Sequence, residues 1–235
     1  MRFRPKEKMK FFILYLSAIS LFISCRSNTK SKLEIDYSNF SDKTLFLRGM
    51  NADYEQKDTL CSISLKVPNR LDSFYQWQDY TDYYDGAFTK YRFSDKRYIQ
   101  YAESGFYYIT QPDSVYQMTI WHKRRKEVPD SIDFKSISEE NLKNYAYSAV
   151  LRTSMEEEVD QVKAEYKVIN GRPFFIGIHK TSAGYLTWKP TLFVVGITNL
   201  KNRSVYFVGE CSAKDTIGFV DAMNRSIGSI IINEN

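Results

Sequence analysis

The sequence predicts an α+β protein built on an antiparallel β-sheet, and three patterns support this class. Residues 62–67 and 162–168 alternate apolar with polar side chains, which is typical of strands with one solvated face. Asn170 and Gly171 form the dipeptide favoured in two-residue hairpin turns. Near the C-terminus, apolar residues recur at helical spacing, at Ile217, Val220, Met223, Ile227 and Ile230.

The other elements follow from similar patterns along the chain. Residues 44–47, 87–93, 97–103 and 114–122 predict further strands, most of them in a meander, and residues 173–178, 191–198 and 204–211 predict the strands of two C-terminal hairpins. Ser138 is a favourable N-cap before two glutamates, so a central helix is expected up to residue 155. A last helix is expected to start at residues 212–215 and to carry the apolar residues up to Ile230. The expected sheet is therefore flanked by a central and a C-terminal amphipathic helix.

The first 24 residues have the composition of a secretory signal peptide. Five basic residues and one acidic residue precede an apolar stretch, residues 11–23. A membrane-spanning helix needs about 20 apolar residues, so this stretch is too short for a stable span. The predicted organisation is a signal peptide over 1–24, a polar tether over 25–39 and one α+β domain over 40–235.

The end of this segment resembles the lipobox of bacterial lipoproteins. Residues 21–25 read Leu-Phe-Ile-Ser-Cys, a loose form of that motif. The resemblance implies that Cys25 receives a diacylglyceryl thioether and becomes the acylated N-terminus, in the envelope of a Gram-negative bacterium. No acidic residue precedes Glu34 in the tether, which favours a periplasm-facing anchor over surface export. The alternative is an ordinary signal peptide with an incidental cysteine.

Composition excludes nucleic acid as an expected partner. The full chain has 33 basic and 28 acidic side chains, but the first 24 residues hold five of the former and one of the latter, which leaves a net charge of +1. No basic excess then remains to neutralise phosphates.

Two further cysteines, Cys61 and Cys211, lie in strand-like runs. After export they would meet an oxidising compartment. They are interpreted either as buried reduced thiols or as a disulfide, which requires their Cα atoms to lie within about 7 Å.

An aromatic segment supplies the candidate binding residues, Trp77, Tyr80, Tyr83 and Tyr84. Tyrosine and tryptophan combine a large apolar ring with a polar tip, which suits protein or glycan recognition. The alternative is that half of the aromatic rings in residues 75–101 belong to the core and that the nearby aspartates cap a turn. Aspartates nearby do not have the spacing of a calcium loop, so no metal is expected.

Catalytic and cofactor motifs are not found in the sequence. It contains no phosphate-binding glycine loop, nucleophile elbow or Cys-x-x-Cys pair. His122 and His179 are the only histidines and are far apart in the chain. No catalytic residue and no cofactor is therefore predicted.

The order of elements over residues 60–231 resembles the PsbP/Mog1/DcrB-like fold, several bacterial members of which are exported lipoproteins. The similarity is concentrated around residues 170–173 and 221–227, in residues 166–231. Because this family is functionally mixed, the resemblance implies a fold more than an activity. The favoured function is a lipid-anchored, non-enzymatic protein that binds an envelope protein, as an accessory subunit or as immunity protein to a periplasmic toxin. A glycan-binding surface lipoprotein is the alternative, and an enzyme of unknown class is third.

Overall fold

Twelve strands and one complete helix are described by a computed structural model of the chain. The described residues are 35–50, 56–79, 88–98, 100–103, 106–109, 115–123, 138, 140, 141, 144, 159–181, 190–201, 203–212 and 216–234. Predictions for residues outside these ranges, among them the signal peptide and Cys25, are not addressed by the fold.

The N-terminal part of the chain supplies seven strands: β1 Phe40–Met50, β2 Gln56–Pro68, β3 Ser73–Asp79, β4 Phe88–Ser94, β5 Gln100–Glu103, β6 Phe106–Ile109 and β7 Tyr116–Lys123. A short 3-10 turn, Lys96–Tyr98, follows β4. The C-terminal part supplies β8 Val159–Ile169, β9 Arg172–Thr181, β10 Thr191–Leu200, β11 Arg203–Cys211, helix α1 Thr216–Gly228 and β12 Ile231–Glu234. Residues 37–235 form one unit.

Ten of these strands form one antiparallel sheet with the order β12-β2-β1-β4-β7-β11-β10-β9-β8, and β3 pairs with β4. The described pairing between β1 and β4 is a single residue pair, Gly49 with Phe88. The sheet therefore has two parts, which we call the small sheet (β12-β2-β1) and the large sheet (β3-β4-β7-β11-β10-β9-β8). Strands β5 and β6 form a separate hairpin.

The inner faces of the two sheets and α1 enclose the hydrophobic core. The small sheet contributes alternate side chains of β1 and β2, among them Leu47 and Ile63, which are fully buried. The large sheet contributes a row of paired residues that crosses β4, β7 and β11: Tyr91, Ile120 and Phe207. These side chains form one buried cluster, so the core is continuous between the two sheets.

Helix α1 lies against the inner face of the large sheet where two glycines leave room for it. A Cβ atom on Gly209 would lie 2.7 Å from Met223 Cγ and 2.9 Å from Phe219 Cζ, and one on Gly196 would lie 3.1 Å from Ile227 Cδ1. Contacts under 3 Å do not occur between real Cβ atoms and their neighbours. The missing side chains on β10 and β11 therefore allow the helix to pack close to the strands.

The predicted α+β class is wrong. The described chain is predominantly antiparallel strand, and α1 is its one completely described helix, so it is a β-rich fold rather than a sheet flanked by two amphipathic helices. The prediction missed β3, β6 and β12 and shortened β1 and β2, because charged and polar residues at the strand ends break the alternation. It also extended the last helix to Ile230, whereas α1 ends at Gly228 and β12 begins at Ile231.

The predicted central helix falls mostly outside the described residues. Glu140, Asn141 and Asn144 are helical, and the Ser138 hydroxyl oxygen accepts a hydrogen bond from the Asn141 backbone nitrogen at 3.2 Å. The contact is the N-cap that Ser138 was expected to make.

Two local predictions are confirmed. Asn170 and Gly171 join β8 to β9 with φ of 48° and 80°, as the two-residue turn requires. In the C-terminal stripe, Met223, Ile227 and Ile230 are buried and Val220 is half-buried, whereas the side chain of Ile217 is outside the described set. Phe219, which the stripe omitted, is fully buried and meets Tyr116 edge-on with ring centroids 4.9 Å apart.

Replacing Gly209 by alanine should destabilise the fold, because the new methyl group would overlap Met223 and Phe219. We expect a loss of about 1–3 kcal/mol in the free energy of unfolding, measured by urea denaturation. Gly228→Ala is the matched control, since its added Cβ meets nothing within 4 Å. Equal stabilities of the two variants would show that α1 does not depend on close approach at Gly209.

Candidate functional site

The described residues form a groove of about 400 Å³ at one mouth of the space between the two sheets. It lies where β1 and β4 separate, away from their junction at Gly49 and Phe88. We call it the β1–β3 groove. Its lining comes from β1, from the end of β2 and its connection to β3, and from β3 and β4: Ser41, Lys43, Val67, Pro68, Asn69, Leu71, Asp72, Ser73, Phe74 and Phe93.

Phe74 is the exposed aromatic of this groove. It lies on the same face of the large sheet as the core residue Phe93, with which it is paired across β3 and β4. Its ring lies 5.0 Å from that of Phe93 and 6.3 Å from that of Tyr91, centroid to centroid. Yet Phe74 is 50% exposed, whereas Phe93 is 1% exposed. The small sheet therefore stops short of covering this edge of the core.

From Phe40 to Arg48, the edge of β1 on the side of the groove has no strand partner among the described residues. Beyond the groove, side chains cap this edge: the Tyr91 hydroxyl donates to the Phe46 carbonyl oxygen, and His122 Nε2 lies 3.1 Å from the Arg48 carbonyl oxygen. Those carbonyl groups point away from β2. Because backbone direction alternates along a strand, the peptide groups of Asp42 and Thr44 point to the same edge.

The charges around the groove are unequally paired. Asp72 forms an ion pair with Lys96 at 3.1 Å, and Asp42, on the outer face of the small sheet, forms one with Lys66 at 2.9 Å. Lys43, an exposed lining residue, forms no ion pair with any residue that the structure describes. The groove therefore presents an uncompensated positive charge.

A buried carboxylate holds the wall of the groove in place. Asp95, directly after β4, is 2% exposed and accepts hydrogen bonds from Arg70 Nε at 3.0 Å and from Arg97 Nη2 at 2.6 Å. Burial alone would raise the pKa of Asp95, but the hydrogen bonds from Arg97 and Arg70 outweigh it and lower the pKa to about 2. The Arg70 guanidinium also lies 3.7 Å from the ring centroid of Tyr116. The connection between β2 and β3 is thus fixed to the end of β4.

Of the four predicted binding residues, the structure describes Trp77. It lies on β3, on the face opposite Phe74, with the Arg92 guanidinium carbon 5.0 Å and Lys90 Nζ 5.9 Å from its ring centroid. The other three, Tyr80, Tyr83 and Tyr84, lie outside the described residues. A binding role for these four side chains stays a prediction.

Trp77 belongs to a layer of rings and cations on the outer face of the large sheet. Lys90 pairs with Trp77 across the strands and also lies 5.7 Å from the Trp121 ring centroid. Trp121 in turn stacks on Tyr206, with centroids 5.4 Å apart and ring planes 9° apart. Arg92, Trp121 and Tyr206 are all buried, so this outer layer is packed rather than open to solvent at these side chains.

The two histidines are both buried and lie in different surroundings. His122 is buried, with Nε2 near the Arg48 carbonyl and Nδ1 3.3 Å from Arg203 Nη1. His179 is fully buried on β9 and stacks on Phe193 with centroids 4.5 Å apart. No group of three or more possible metal-binding side chains occurs among the described residues.

Cys61 and Cys211 are both free and fully buried in the core cluster. A disulfide between them after export stays a prediction. Burial raises the pKa of Cys61 to about 12, so its thiol stays protonated at physiological pH.

Sequence reasoning missed Phe74. In β3, Tyr75 and Trp77 occupy one face, and Phe74 shares the other with Gln76. A single large apolar residue among polar residues on one face of a strand can indicate that an edge of the core is incompletely covered. Recognising this for Phe74 would have required knowing where the small sheet ends.

Comparisons with known proteins do not assign this chain to a family. No family model matches it, and no curated protein matches it. Among solved structures, the cyanobacterial PsbP of Synechocystis sp. PCC 6803 is 12% identical with a TM-score of 0.42, covering 80% of this chain and 92% of that one. The Ran-binding protein Mog1p of Saccharomyces cerevisiae is 11% identical with a TM-score of 0.40, covering 82% of this chain and 95% of that one. Both names are those of the fold that the sequence resembles, and neither indicates a function for this chain.

None of the helices within the described ranges has the length and hydrophobicity needed to cross a bilayer.

His179 should make the stability of the fold depend on pH. Burial lowers the pKa of His179 to about 3, whereas an unfolded histidine titrates near 6.5. Below about pH 6.5 the unfolded chain therefore gains a proton that the folded chain does not, and stability falls as the pH falls. Between pH 7.5 and pH 5 this single group should cost about 2 kcal/mol.

The measurement is urea unfolding of the wild type and His179→Phe at both pH values. Phenylalanine keeps a ring on Phe193 but cannot titrate, so the variant should lose less stability on acidification by about that amount. Identical pH dependences for the two proteins would mean that His179 is protonated as readily in the folded state as in the unfolded state.

Proposed function

We propose that this chain is a lipid-anchored envelope protein without catalytic activity, whose folded part binds another protein at the β1–β3 groove. The observation that carries the proposal is the half-exposed Phe74, which extends the core surface into an open groove. An apolar floor made by Val67, Leu71 and Phe93 is rimmed by hydroxyl, amide and charged side chains. Apolar centres with polar rims are the usual anatomy of protein interfaces.

Exposed apolar area of this kind costs stability unless something covers it. Complete burial of a phenylalanine side chain contributes about 1.5–3 kcal/mol relative to exposure. A partner that covers Phe74 gains part of that free energy, and aromatic residues in such positions are frequent interface hot spots.

A protein partner suits this groove better than a glycan. The adjoining edge of β1 offers peptide N–H and C=O groups, which match another peptide backbone. Glycan binding remains the alternative that the cross-linking experiment below separates.

The anchor follows from the lipobox-like sequence. If Cys25 carries the lipid, fourteen residues connect it to Phe40 at the start of β1, and a fully extended segment of that length reaches about 50 Å. The groove, whose lining begins at Ser41, would then stay close to the membrane that holds the anchor. This placement suits an accessory subunit of an envelope complex or an immunity protein to a periplasmic toxin.

Cys25→Ala should remove the lipid. We expect the variant either to accumulate as unprocessed precursor or to leave the membrane fraction, because the thioether cannot form. Metabolic labelling of cells with a fatty-acid analogue checks this directly: label on the wild-type chain and none on Cys25→Ala is expected. An unlabelled wild-type chain would overturn the lipid anchor but not the groove.

A photo-reactive phenylalanine derivative at position 74, in the full chain in cells, should form a covalent adduct with a protein. The same derivative at position 46 is the matched control, because Phe46 is also half-exposed, at 51%, but lies on the outer face of the small sheet. In addition, Phe74→Ala should weaken capture of the cross-linked protein by about tenfold or more, as expected for a truncated hot spot.

The composition of the adduct decides between partner classes. An adduct at position 74 that protease removes supports protein binding, and one that only glycan-degrading enzymes remove supports the glycan alternative. Equal adducts at positions 46 and 74 would mean that the groove has no special role.

A further inference from the structure

We infer that the β1–β3 groove accepts an extended segment of a partner protein as an additional strand beside β1, with an acidic side chain placed at Lys43. The inference depends on the proposed protein-binding function and specifies how the partner is held. Three features of the described residues support it: an unpaired strand edge, an uncovered part of the core, and an uncompensated charge.

The strand edge is the first feature. Between Phe40 and Arg48, β1 pairs with β2 on one side and with no described strand on the other. The carbonyl groups of Phe46 and Arg48 are already occupied by side chains, so the available part of this edge is limited to Asp42 and Thr44. An added strand there would lie about 4.8 Å from β1 and accept and donate backbone hydrogen bonds.

The uncovered core is the second feature. Phe74 and Phe93 face the interior side of the large sheet, yet Phe74 is half-exposed because no strand of the small sheet lies opposite it. A strand added to the free edge of β1 extends the small sheet in the direction of β3. Its inward side chains would then cover Phe74 in the same way that Leu45 and Leu47 cover the neighbouring core.

The charge is the third feature. Lys43 lines the groove and pairs with no described acidic residue, whereas Asp72 at the opposite rim is paired with Lys96. Directly opposite cross-strand pairs of unlike charge are favourable, and like charges are unfavourable. The segment that binds should therefore carry aspartate or glutamate opposite Lys43 and an apolar residue over Phe74.

Tyr37, which leads into β1, is held by contacts with α1 and β2 and not at the free edge of β1. The Tyr37 hydroxyl donates to the Arg225 carbonyl oxygen of α1 at 3.3 Å, and Lys66 of β2 lies 5.3 Å from its ring centroid. Tyr37 is thus fixed to α1 and β2 rather than to the groove.

A second copy of this chain is also a poor fit. Antiparallel pairing of β1 with the β1 of another copy around residue 43 would bring two Lys43 side chains together, which is unfavourable. The occupant that matches the groove is an acidic and apolar segment of a different protein.

The test is a selection from a display library of linear peptides on the full chain, in detergent. Enriched peptides should combine acidic with apolar, β-branched residues. The affinity of the enriched peptides should fall at least tenfold for Thr44→Pro, because proline has no N–H group to offer at the open edge. The affinity should remain unchanged for Thr44→Val, because valine keeps that N–H group. Lys43→Glu should enrich basic peptides instead.

Backbone dependence is checked on the peptides themselves. Methylation of alternate backbone nitrogens in an enriched peptide leaves its side chains intact and should abolish binding. Because Thr44→Pro could disturb the small sheet, the amide signals of Asp42 and Thr44 in the wild-type chain give a second measurement by NMR, and both should shift and gain protection from exchange on peptide addition.

Three outcomes would each overturn strand addition. The first is equal enrichment of peptides on the wild type and on Thr44→Pro. The others are unchanged binding of the methylated peptides and amide signals at positions 42 and 44 that peptide addition does not affect. These are distinguishable from failure of the proposed function. A protein adduct at position 74 that persists in Thr44→Pro would leave protein binding intact and exclude this mode of it.

Discussion

The architecture depends on how little β1 pairs with β4: among the described residues, one pair joins them, Gly49 with Phe88. Pairing along the full length of both strands would make the two sheets continuous. Over the rest of their described lengths the two strands are not paired with each other, and side chains of both sheets form one buried cluster. The same separation leaves the groove at Phe74, so the core and the candidate site have a common origin.

The packing of α1 against the large sheet depends on two glycines, which leave space where other residues would have side chains. Gly196 and Gly209 occupy neighbouring strands under α1, and any larger residue at Gly209 would meet Met223 and Phe219. Close approach lets one short helix cover the gap between the hairpin of β10 and β11 and the small sheet. The helix thus stabilises the interior side of the fold, while the mouth near β3 is left uncovered.

Local chemistry in the sequence was predictable where a few neighbouring residues decide the structure. Asn170 and Gly171 specify a tight turn by their tolerance of positive φ, and Met223 and Ile227 specify a buried helix face by their spacing. The fold class was not predictable in this way, because strand ends with charged residues do not alternate. The exposure of Phe74 could not be predicted, because it depends on how the edge of β1 lies relative to β3. These two strands are some thirty residues apart in the chain.

The position of β12 has a consequence for the order in which the chain acquires structure. β2 is the central strand of the small sheet, and its second neighbour is β12, paired through Ile63 and Ile232 some 170 residues later. The tip of the β8–β9 hairpin is likewise held by the last residues, through Asn170 to the Ile230 carbonyl and Arg172 to Glu234. Contacts so distant in sequence form slowly and only after synthesis has passed them. An emerging chain therefore lacks the third strand of its small sheet until its synthesis is almost complete.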